Sequence, residues 1–250
     1  MTILVTGGTG TLGRPTVDLL RAAGHDVRIL SRSAGAGRAL GDLGTGAGLR
    51  EALAGVDTVL HLATSAGKRD VAQTGRLLAA ATAAGIRHIV YISIVGVDVV
   101  PYPYYGAKLE CERAIERSGI PYTILRATQF HGFVAMVPRA QRRMPVILSV
   151  DAPDQPIAVE EVAARLVELV EAGPSGHVAD IGGPEQLTVR EAIGIWQRAA
   201  GTRKPVWTLP LRGRAMDAFR AGLHMPGLPG YGRRTFAEYA AREAHGTNVR

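Results

Sequence analysis

Three side chains that together can handle the proton of a carbonyl reaction are Ser93, Tyr104 and Lys108. Tyr104 and Lys108 are four residues apart in a segment with helical character, so both project from one helix face. A tyrosine hydroxyl can protonate a developing alkoxide, and a nearby ammonium lowers a tyrosine pKa that is ordinarily about 10. A serine hydroxyl can hold the substrate oxygen. The spacing predicts a catalytic set of these three residues, whereas the neighbouring Tyr105 is predicted to pack in the core.

A glycine-rich turn near the start of the chain is the second chemical signal. An apolar run at residues 3–5 precedes it and a helix-like segment follows, which is the order strand, turn, helix of a dinucleotide phosphate site. Two spacings fit, one through Gly8, Gly10 and Gly13 and one through Gly7, Gly10 and Gly13. The free N–H groups at a helix start bind phosphate. The predicted cofactor-binding residues of this turn are Gly7, Gly8, Thr9, Gly10, Thr11, Leu12 and Gly13.

The end of the second predicted strand indicates which dinucleotide is bound. An acid there would favour NAD, and a basic residue accommodates the 2′-phosphate of NADP. The chain has Arg32 there, 19 residues after Gly13, between Ser31 and Ser33. A guanidinium fork flanked by two hydroxyls suits a phosphate, so the sequence predicts NADP(H).

Asp42 and its neighbour Leu43 follow the third predicted strand and are predicted near the adenine. An equal alternative makes Asp42 a helix N-cap.

The elements that must position these residues alternate between strand and helix, with short connections. This alternation predicts an α/β fold, a doubly wound parallel sheet of the Rossmann type. A dinucleotide-binding core is expected over residues 1–127, and a small substrate lobe that shares its core over residues 128–250. Predicted strands are residues 3–6, 27–31, 38–40, 58–63, 88–93 and 122–125; predicted helices are 14–23, 49–54, 71–84, 104–118, 159–171, 188–200 and 235–244.

The composition of the chain indicates which cellular compartment and which kinds of partner molecule to expect. The chain has 250 residues, 46% hydrophobic and 20% charged, with a single cysteine, Cys111, which suits a reducing compartment. No signal peptide or long apolar run is evident, so a cytoplasmic protein without membrane contact is expected, either a monomer or a homodimer. The net charge of +7 comes from scattered basic residues without a nucleic-acid motif, so no nucleic-acid partner is expected. No metal-ligand cluster is evident.

Five motifs in order carry a family resemblance. They are the run of residues 6–13, His61-Leu62-Ala63-Thr64, Tyr91-Ile92-Ser93, Tyr104-x-x-x-Lys108 and residues 122–126. Together they resemble the short-chain dehydrogenase/reductase superfamily, in its atypical NmrA-like, NAD(P)H-binding branch. The resemblance extends over most of residues 1–200 and departs from the family pattern at Ala127, where many relatives have proline. It implies that Ala63 and Thr64 line the cofactor and that Lys108 also holds the nicotinamide ribose.

The sequence gives less information about the residues that contact the substrate. Residues Gln129, Phe130 and His131 are expected near the nicotinamide, and a substrate role and a structural role both stay open for His131. Core packing is favoured over a pocket wall for Phe130, Phe133, Met136 and Trp207. His61 is expected to be a hydrogen-bonded core histidine. The leading hypothesis is an NADPH-dependent oxidoreductase for a carbonyl or quinone of a small apolar molecule. The alternatives are a non-enzymatic NADP(H)-sensing regulator that binds a protein partner, and a sugar-nucleotide epimerase or dehydratase.

Overall fold

A computed structural model describes residues 1–246 of the chain. In order, its elements are β1 (Thr2–Thr6), α1 (Gly13–Ala22), β2 (Asp26–Ser31), β3 (Arg38–Leu40), α2 (Leu49–Ala52), β4 (Thr58–His61), α3 (Arg69–Ala83), β5 (His88–Ile94), α4 (Pro103–Arg117), β6 (Tyr122–Ala127), α5 (His131–Ala140), β7 (Ile147–Val150), β8 (Pro153–Asp154), α6 (Val159–Ala172), β9 (Gly176–His177), β10 (Leu187–Thr188), α7 (Val189–Ala199), β11 (Val206–Leu209), α8 (Arg214–Arg220) and α9 (Phe236–Gly246). None of these helices has the length and apolar character that a bilayer crossing requires.

The chain folds into two compact units, each built from three separate segments of the chain. Unit 1 comprises Met1–Ser93, Tyr102–Arg126 and Glu160–Ala179, and unit 2 comprises Ile94–Pro101, Ala127–Val159 and the chain from Asp180 onward. The division expected at residue 127 did not anticipate that α6 and β9 return to unit 1. The reason is visible in the pairing of β9 with β6, in which Thr123 and Ile124 lie opposite Gly176 and His177.

Unit 1 contains a seven-stranded parallel sheet with the order β3-β2-β1-β4-β5-β6-β9. This is the strand order of a doubly wound, dinucleotide-binding sheet, and the predicted fold class is confirmed. The sheet order reverses between β1 and β4, and ligands bind such sheets at the carboxyl ends of the strands beside this reversal. All four residues of β4 are buried, as expected for a central parallel strand covered on both faces.

Helix α4 carries two of the predicted catalytic residues and is tied to β6 by a buried ion pair. Arg126 Nε donates to Glu112 Oε1 over 3.0 Å and its Nη2 donates to Oε2 over 2.7 Å. The Glu112 side chain is 1% exposed. A two-pronged bond of this kind fixes orientation as well as distance, so the helix face above the sheet is held in one position.

Unit 2 has a separate hydrophobic core, in which α5, α7 and α9 contribute the buried residues Val134, Ala135, Ala192, Trp196, Phe236 and Ala240. Helix α7 begins with a capping box formed by Thr188 and Glu191. Helix α5 is absent from the predicted helices, because a proline such as Pro138 argues against a helix interior. Pro138 lies in the last turn of α5, where only the end of the helix is affected.

Candidate active site

The glycine turn between β1 and α1 has no room for side chains at two positions. Gly7 has φ +70°, and a Cβ there would lie 2.8 Å from the backbone nitrogen of Ala63. A Cβ on Gly13 would lie 2.1 Å from the carbonyl oxygen of Gly7. The first turn of α1 therefore packs directly on the loop, and the close contacts at Gly7 and Gly13 require residues without side chains at both positions. Leu12, the N-cap, supplies no side-chain cap, so this helix start fits the pyrophosphate of a dinucleotide.

Thr6 connects this turn to the end of β4. Its Oγ1 accepts the backbone N–H groups of Leu62 and Ala63, each over 3.2 Å, and lies 2.7 Å from Nδ1 of His61. The other ring nitrogen of His61 lies 3.0 Å from Thr74 Oγ1. Burial lowers the pKa of His61 to about 3, so the ring is neutral. His61 is a hydrogen-bonded core histidine, as expected, and the Thr6 bonds place the segment of Ala63 and Thr64 beside the glycine turn.

The end of β2 presents the predicted hydroxyls together with a second arginine. The backbone N–H of Ser33 donates to Ser31 Oγ over 3.2 Å, and Arg38 Nη1 donates to Ser33 Oγ over 3.1 Å. Arg32 is exposed between the two serines. Arg38 was not predicted as a site residue, although its basic character six residues after Arg32, beyond a glycine-rich stretch, could have indicated it. Two guanidinium groups thus lie at the strand end expected to hold the 2′-phosphate.

Asp42 forms a turn and does not cap a helix. Its Oδ1 accepts the backbone N–H of Gly44 over 2.7 Å, and the N-cap of α2 is Gly48. The N-cap alternative is therefore wrong. Leu43 is buried in the core of unit 1, and its carbonyl oxygen accepts from Arg76 over 3.4 Å. The Leu43 side chain thus packs into the core of unit 1, and the contact of this segment with adenine stays a prediction.

Tyr104 is the end of a short chain of hydrogen bonds. Its hydroxyl lies 3.3 Å from Thr64 Oγ1, and the Thr64 hydroxyl donates to Asp70 Oδ2 over 2.6 Å. Asp70 Oδ1 also accepts from the backbone N–H and the hydroxyl of Ser65, each over 2.5 Å. Burial raises the pKa of Asp70, but these bonds outweigh that effect and hold it below its ordinary value.

The ionised Asp70 fixes the direction of every donor in this chain. A carboxylate only accepts, so the single Thr64 proton points to Asp70 and the Thr64 oxygen is left as an acceptor. The Tyr104 hydroxyl is then the donor toward Thr64. Burial raises the pKa of Tyr104, and the Asp70 charge adds to the effect; Thr64 would oppose it only as a donor to the phenolate, and its proton is directed to Asp70. The expectation that an ammonium lowers this pKa is wrong for this arrangement, and Tyr104 is held as a neutral phenol.

The ammonium of Lys108 has other partners. It donates to the Tyr91 hydroxyl over 3.1 Å and to the Ile92 carbonyl oxygen over 2.9 Å, and it lies 4.5 Å from the centroid of the Tyr91 ring. Burial lowers the pKa of Lys108 to about 8, against the opposing charges of Cys111, Asp70 and Glu112. The contact between Tyr91 and Lys108 was not predicted, although Tyr91 begins the motif Tyr91-Ile92-Ser93.

Ser93 lies in β5 with a side chain that is 2% exposed. Within residues 1–246 its hydroxyl has no hydrogen-bond partner. A buried hydroxyl without a partner costs free energy and is a ready site for a ligand oxygen. Its neighbour Ile92 holds Lys108, and that contact brings the lysine and the serine segment together at β5.

The residues predicted near the substrate belong to unit 2. The Nε2 of His131 lies 3.0 Å from the Pro156 carbonyl oxygen, and its ring packs against Phe236 and Tyr239. His131 is 2% exposed, so its position is that of a core histidine. Gln129 accepts the backbone N–H of Ile157 through its carbonyl oxygen over 2.9 Å.

The expectation of core packing is wrong for three large apolar residues of unit 2. Their exposed fractions are 55% for Phe133, 53% for Met136 and 62% for Trp207. Phe130 is partly buried. In the described part of the chain, no group of three or more His, Cys, Asp or Glu side chains could hold a metal ion.

Comparisons with known proteins place this site in a family. The sequence profile of the NmrA-like family matches residues 1–206. A (4-alkanoyl-5-oxo-2,5-dihydrofuran-3-yl)methyl phosphate reductase of Streptomyces griseus is 33% identical over 212 residues, covering 80% of this chain and 74% of the relative. Quinone oxidoreductase 2 of Escherichia coli is 28% identical over 243 residues, covering 91% and 82%.

Solved structures share the fold. An NADPH-dependent quinone oxidoreductase from Escherichia coli superposes with a TM-score of 0.79 at 22% identity, covering 96% of this chain and 99% of the other. A triphenylmethane reductase from Citrobacter, complexed with NADP(H), gives a TM-score of 0.80 at 21% identity, covering 98% and 100%. The profile match, with the glycine turn and the Tyr104–Lys108 helix that it includes, shows that the chain belongs to the NmrA-like family of the short-chain dehydrogenase/reductase superfamily.

Proposed function

We propose that this protein reduces a carbonyl or quinone group of a small apolar molecule with NADPH, and that Tyr104 is the proton donor. The broader class, an NAD(P)-dependent oxidoreductase that uses NADP(H), follows from the family and from relatives that are named reductases. The observation that carries the finer proposal is the Tyr104 phenol. It is held neutral and hydrogen-bonded to Thr64, on the same unit as the glycine turn.

The cofactor fits the residues present. The uncapped start of α1 and the glycine turn would hold the pyrophosphate, and Arg32 with Arg38 would hold the 2′-phosphate. When bound, NADPH supplies the hydride that the reduction needs. The segment of Ala63 and Thr64 lies against Gly7 and would line the bound dinucleotide, as the family resemblance implies.

The protein's own groups would handle the substrate oxygen. The unpartnered Ser93 hydroxyl is available to donate to that oxygen, and Tyr104 gives it a proton. A raised pKa keeps the phenol protonated until the oxygen becomes basic enough to accept. Lys108, fixed by Tyr91 and Ile92, has a third N–H for which the described residues supply no partner, and this donor would serve the nicotinamide ribose.

The test is a pair of tyrosine variants assayed with a panel of quinones and apolar ketones. We expect Tyr104→Phe to lower kcat by about 100-fold or more, since a positioned acid contributes about 10²–10⁴-fold. Tyr105→Phe, which changes the adjacent buried tyrosine, is the matched control and should keep the wild-type rate. NADPH binding, followed by its fluorescence, should be unchanged in both. Full turnover by Tyr104→Phe on a substrate that the wild type reduces would exclude Tyr104 as the proton donor.

Two other hypotheses use the same fold. Epimerase structures also superpose on the chain, for example a nucleoside-diphosphate-sugar epimerase from Staphylococcus aureus at TM-score 0.79 and 18% identity, so the fold alone does not separate them. A redox-sensing regulator would bind NADP(H) without needing Tyr104. Capture of a protein partner that depends on the cofactor's redox state, without NADPH oxidation across the panel, would favour the regulator.

A further inference from the structure

Unit 2 contains a cavity of about 210 Å³. Apolar side chains from α5, β7, α7 and β11 form most of its wall, among them Phe133, Val137, Val150 and Leu209. The exposed side chain of Phe133 in α5 thus forms part of one wall of this cavity. Pockets for drug-sized ligands span roughly 300–1,000 Å³, so this one suits a smaller molecule, such as a single ring with a short chain.

One ionisable side chain, Asp154, lies in this apolar wall. It is 9% exposed, and its Oδ1 accepts the backbone N–H of Gln155 over 2.8 Å. Within residues 1–246 no cation pairs with it. Burial raises the pKa of Asp154 to about 7, with the Gln155 bond opposing the effect, and no neighbouring charge contributes. A carboxylate in such a place is costly unless a cation joins it.

Ser149, which also lines the cavity, and the polar and charged groups of the adjoining segments make other contacts. The Ser149 hydroxyl donates to the Val150 carbonyl oxygen over 3.2 Å, and the ring of His224 lies 3.0 Å from the Pro153 carbonyl oxygen. Arg190 donates to Thr208 Oγ1 over 2.6 Å. Arg220 pairs with Asp151 and Asp217, and Glu191 is held in the capping box. The carboxyl of Asp154 is therefore the polar feature that a ligand in this cavity would meet.

We propose that this cavity binds a small apolar molecule with one protonated amine, the ammonium on the Asp154 carboxylate and the carbon skeleton against Phe133, Val137 and Leu209. The apolar walls lower the polarity around the ion pair and strengthen it, and the pair offsets the cost of the buried charge. The inference rests on unit 2 alone and does not depend on the reductase proposal.

The experiment compares three probes of one shape: 2-phenylethylamine, 2-phenylethanol and phenylacetate. Each is titrated into the full chain at pH 8, where Asp154 is ionised, with backbone amide NMR shifts as the readout. We expect the amine to bind at least about tenfold more tightly than the alcohol, with shifts at Val150, Val189 and Leu209, and phenylacetate to bind most weakly. Equal affinity for amine and alcohol, or shifts confined to other residues, would overturn the proposal.

Three variants distinguish the contribution of the Asp154 charge to ligand binding from that of the apolar cavity. Asp154→Asn keeps the shape and should remove the preference for the amine, whereas Asp151→Asn, on an exposed aspartate three residues earlier, should keep it. Val137→Phe fills the cavity and should abolish the binding of both amine and alcohol. If Val137→Phe does not fold, the two asparagine variants decide. An amine preference that survives Asp154→Asn contradicts the proposal.

Discussion

At the scale of single residues, the site is governed by which group holds which proton. Asp70 accepts the hydrogen bond that the Thr64 hydroxyl donates, so toward Tyr104 the Thr64 oxygen can only accept. If Tyr104 lost its proton, no donor from Thr64 would be available to the phenolate, and the Asp70 charge would oppose it. The arrangement thus favours a tyrosine that gives a proton over one that takes it. This direction matches reduction.

Asp70→Asn tests this assignment. Removing the charge also removes one cause of the raised Tyr104 pKa, so that pKa should fall and the alkaline limb of the kcat/KM profile should move to lower pH. The measurement is kcat/KM for a quinone from pH 6 to 11. Asp57→Asn is the control, because Asp57 bonds Thr2 and Arg87 and makes no contact with this chain of bonds. A profile that does not move would show that Asp70 leaves Tyr104 unaffected.

Arg32 tests the proposed 2′-phosphate contact. Arg32→Ala should weaken NADPH binding by about tenfold or more and leave NADH binding nearly unchanged, since a hydrogen bond to a charged group contributes about 1.5–3 kcal/mol. The ratio of the two dissociation constants, measured by fluorescence, reports the change. Arg28→Ala is the control, because the Arg28 guanidinium donates to the Ala54 carbonyl oxygen. A parallel loss of both cofactors would place Arg32 elsewhere on the dinucleotide.

At the scale of helices and strands, the sequence predicted an element well where the hydrophobic periodicity and a following glycine indicate the same boundary. Strand β3 was predicted at its observed residues, and the predicted helices that became α1, α3 and α4 are each followed by a glycine with positive φ, namely Gly24, Gly85 and Gly119. Short strands such as β8 and β10 have two residues each, too few for any alternation to be seen. The contact between Thr64 and Asp70 could not be predicted either, because Asp70 lies in the first turn of α3, before the predicted helix start at residue 71, and the loop between the two residues has no periodic pattern.

Gly13→Ala tests the packing of α1 on the glycine turn. The new Cβ would meet the Gly7 carbonyl oxygen at 2.1 Å, so the helix must move away from the loop. We expect a loss of about 1–3 kcal/mol in the free energy of unfolding, and NADPH affinity at least about tenfold lower. Gly75→Ala in α3 is the control, because its Cβ would meet nothing within 4 Å. It should be neutral or stabilising by up to about 1 kcal/mol. Unchanged NADPH affinity in Gly13→Ala would contradict the close packing.

At the scale of the whole molecule, segments of the chain alternate between the two units, so neither is a continuous stretch that could be cut out at residue 127. Unit 1 needs β9 to extend its sheet past β6, and α6 contributes the buried residues Val162, Leu166 and Leu169. Unit 2 contains an unfavourably placed charge, that of Asp154, whose pKa is raised to about 7. The pH dependence of global stability should therefore include a contribution from a single carboxyl group.

Asp154→Asn measures that contribution. Between pH 3.8, the ordinary value, and about 7, the unfolded chain releases this proton while the folded chain keeps it. The carboxyl therefore lowers stability progressively as pH rises through this window, and its full cost is present above pH 7. The variant should be more stable than the wild type by about 2–4 kcal/mol at pH 8 and equal to it near pH 4. Urea unfolding at both pH values measures the difference, with Asp151→Asn as the control. Equal stability of variant and wild type at pH 8 would show that the Asp154 charge does not destabilise the fold. In a second measurement at pH 8, an amine added at saturating concentration that stabilises only the wild type would link this destabilising charge to the proposed ligand.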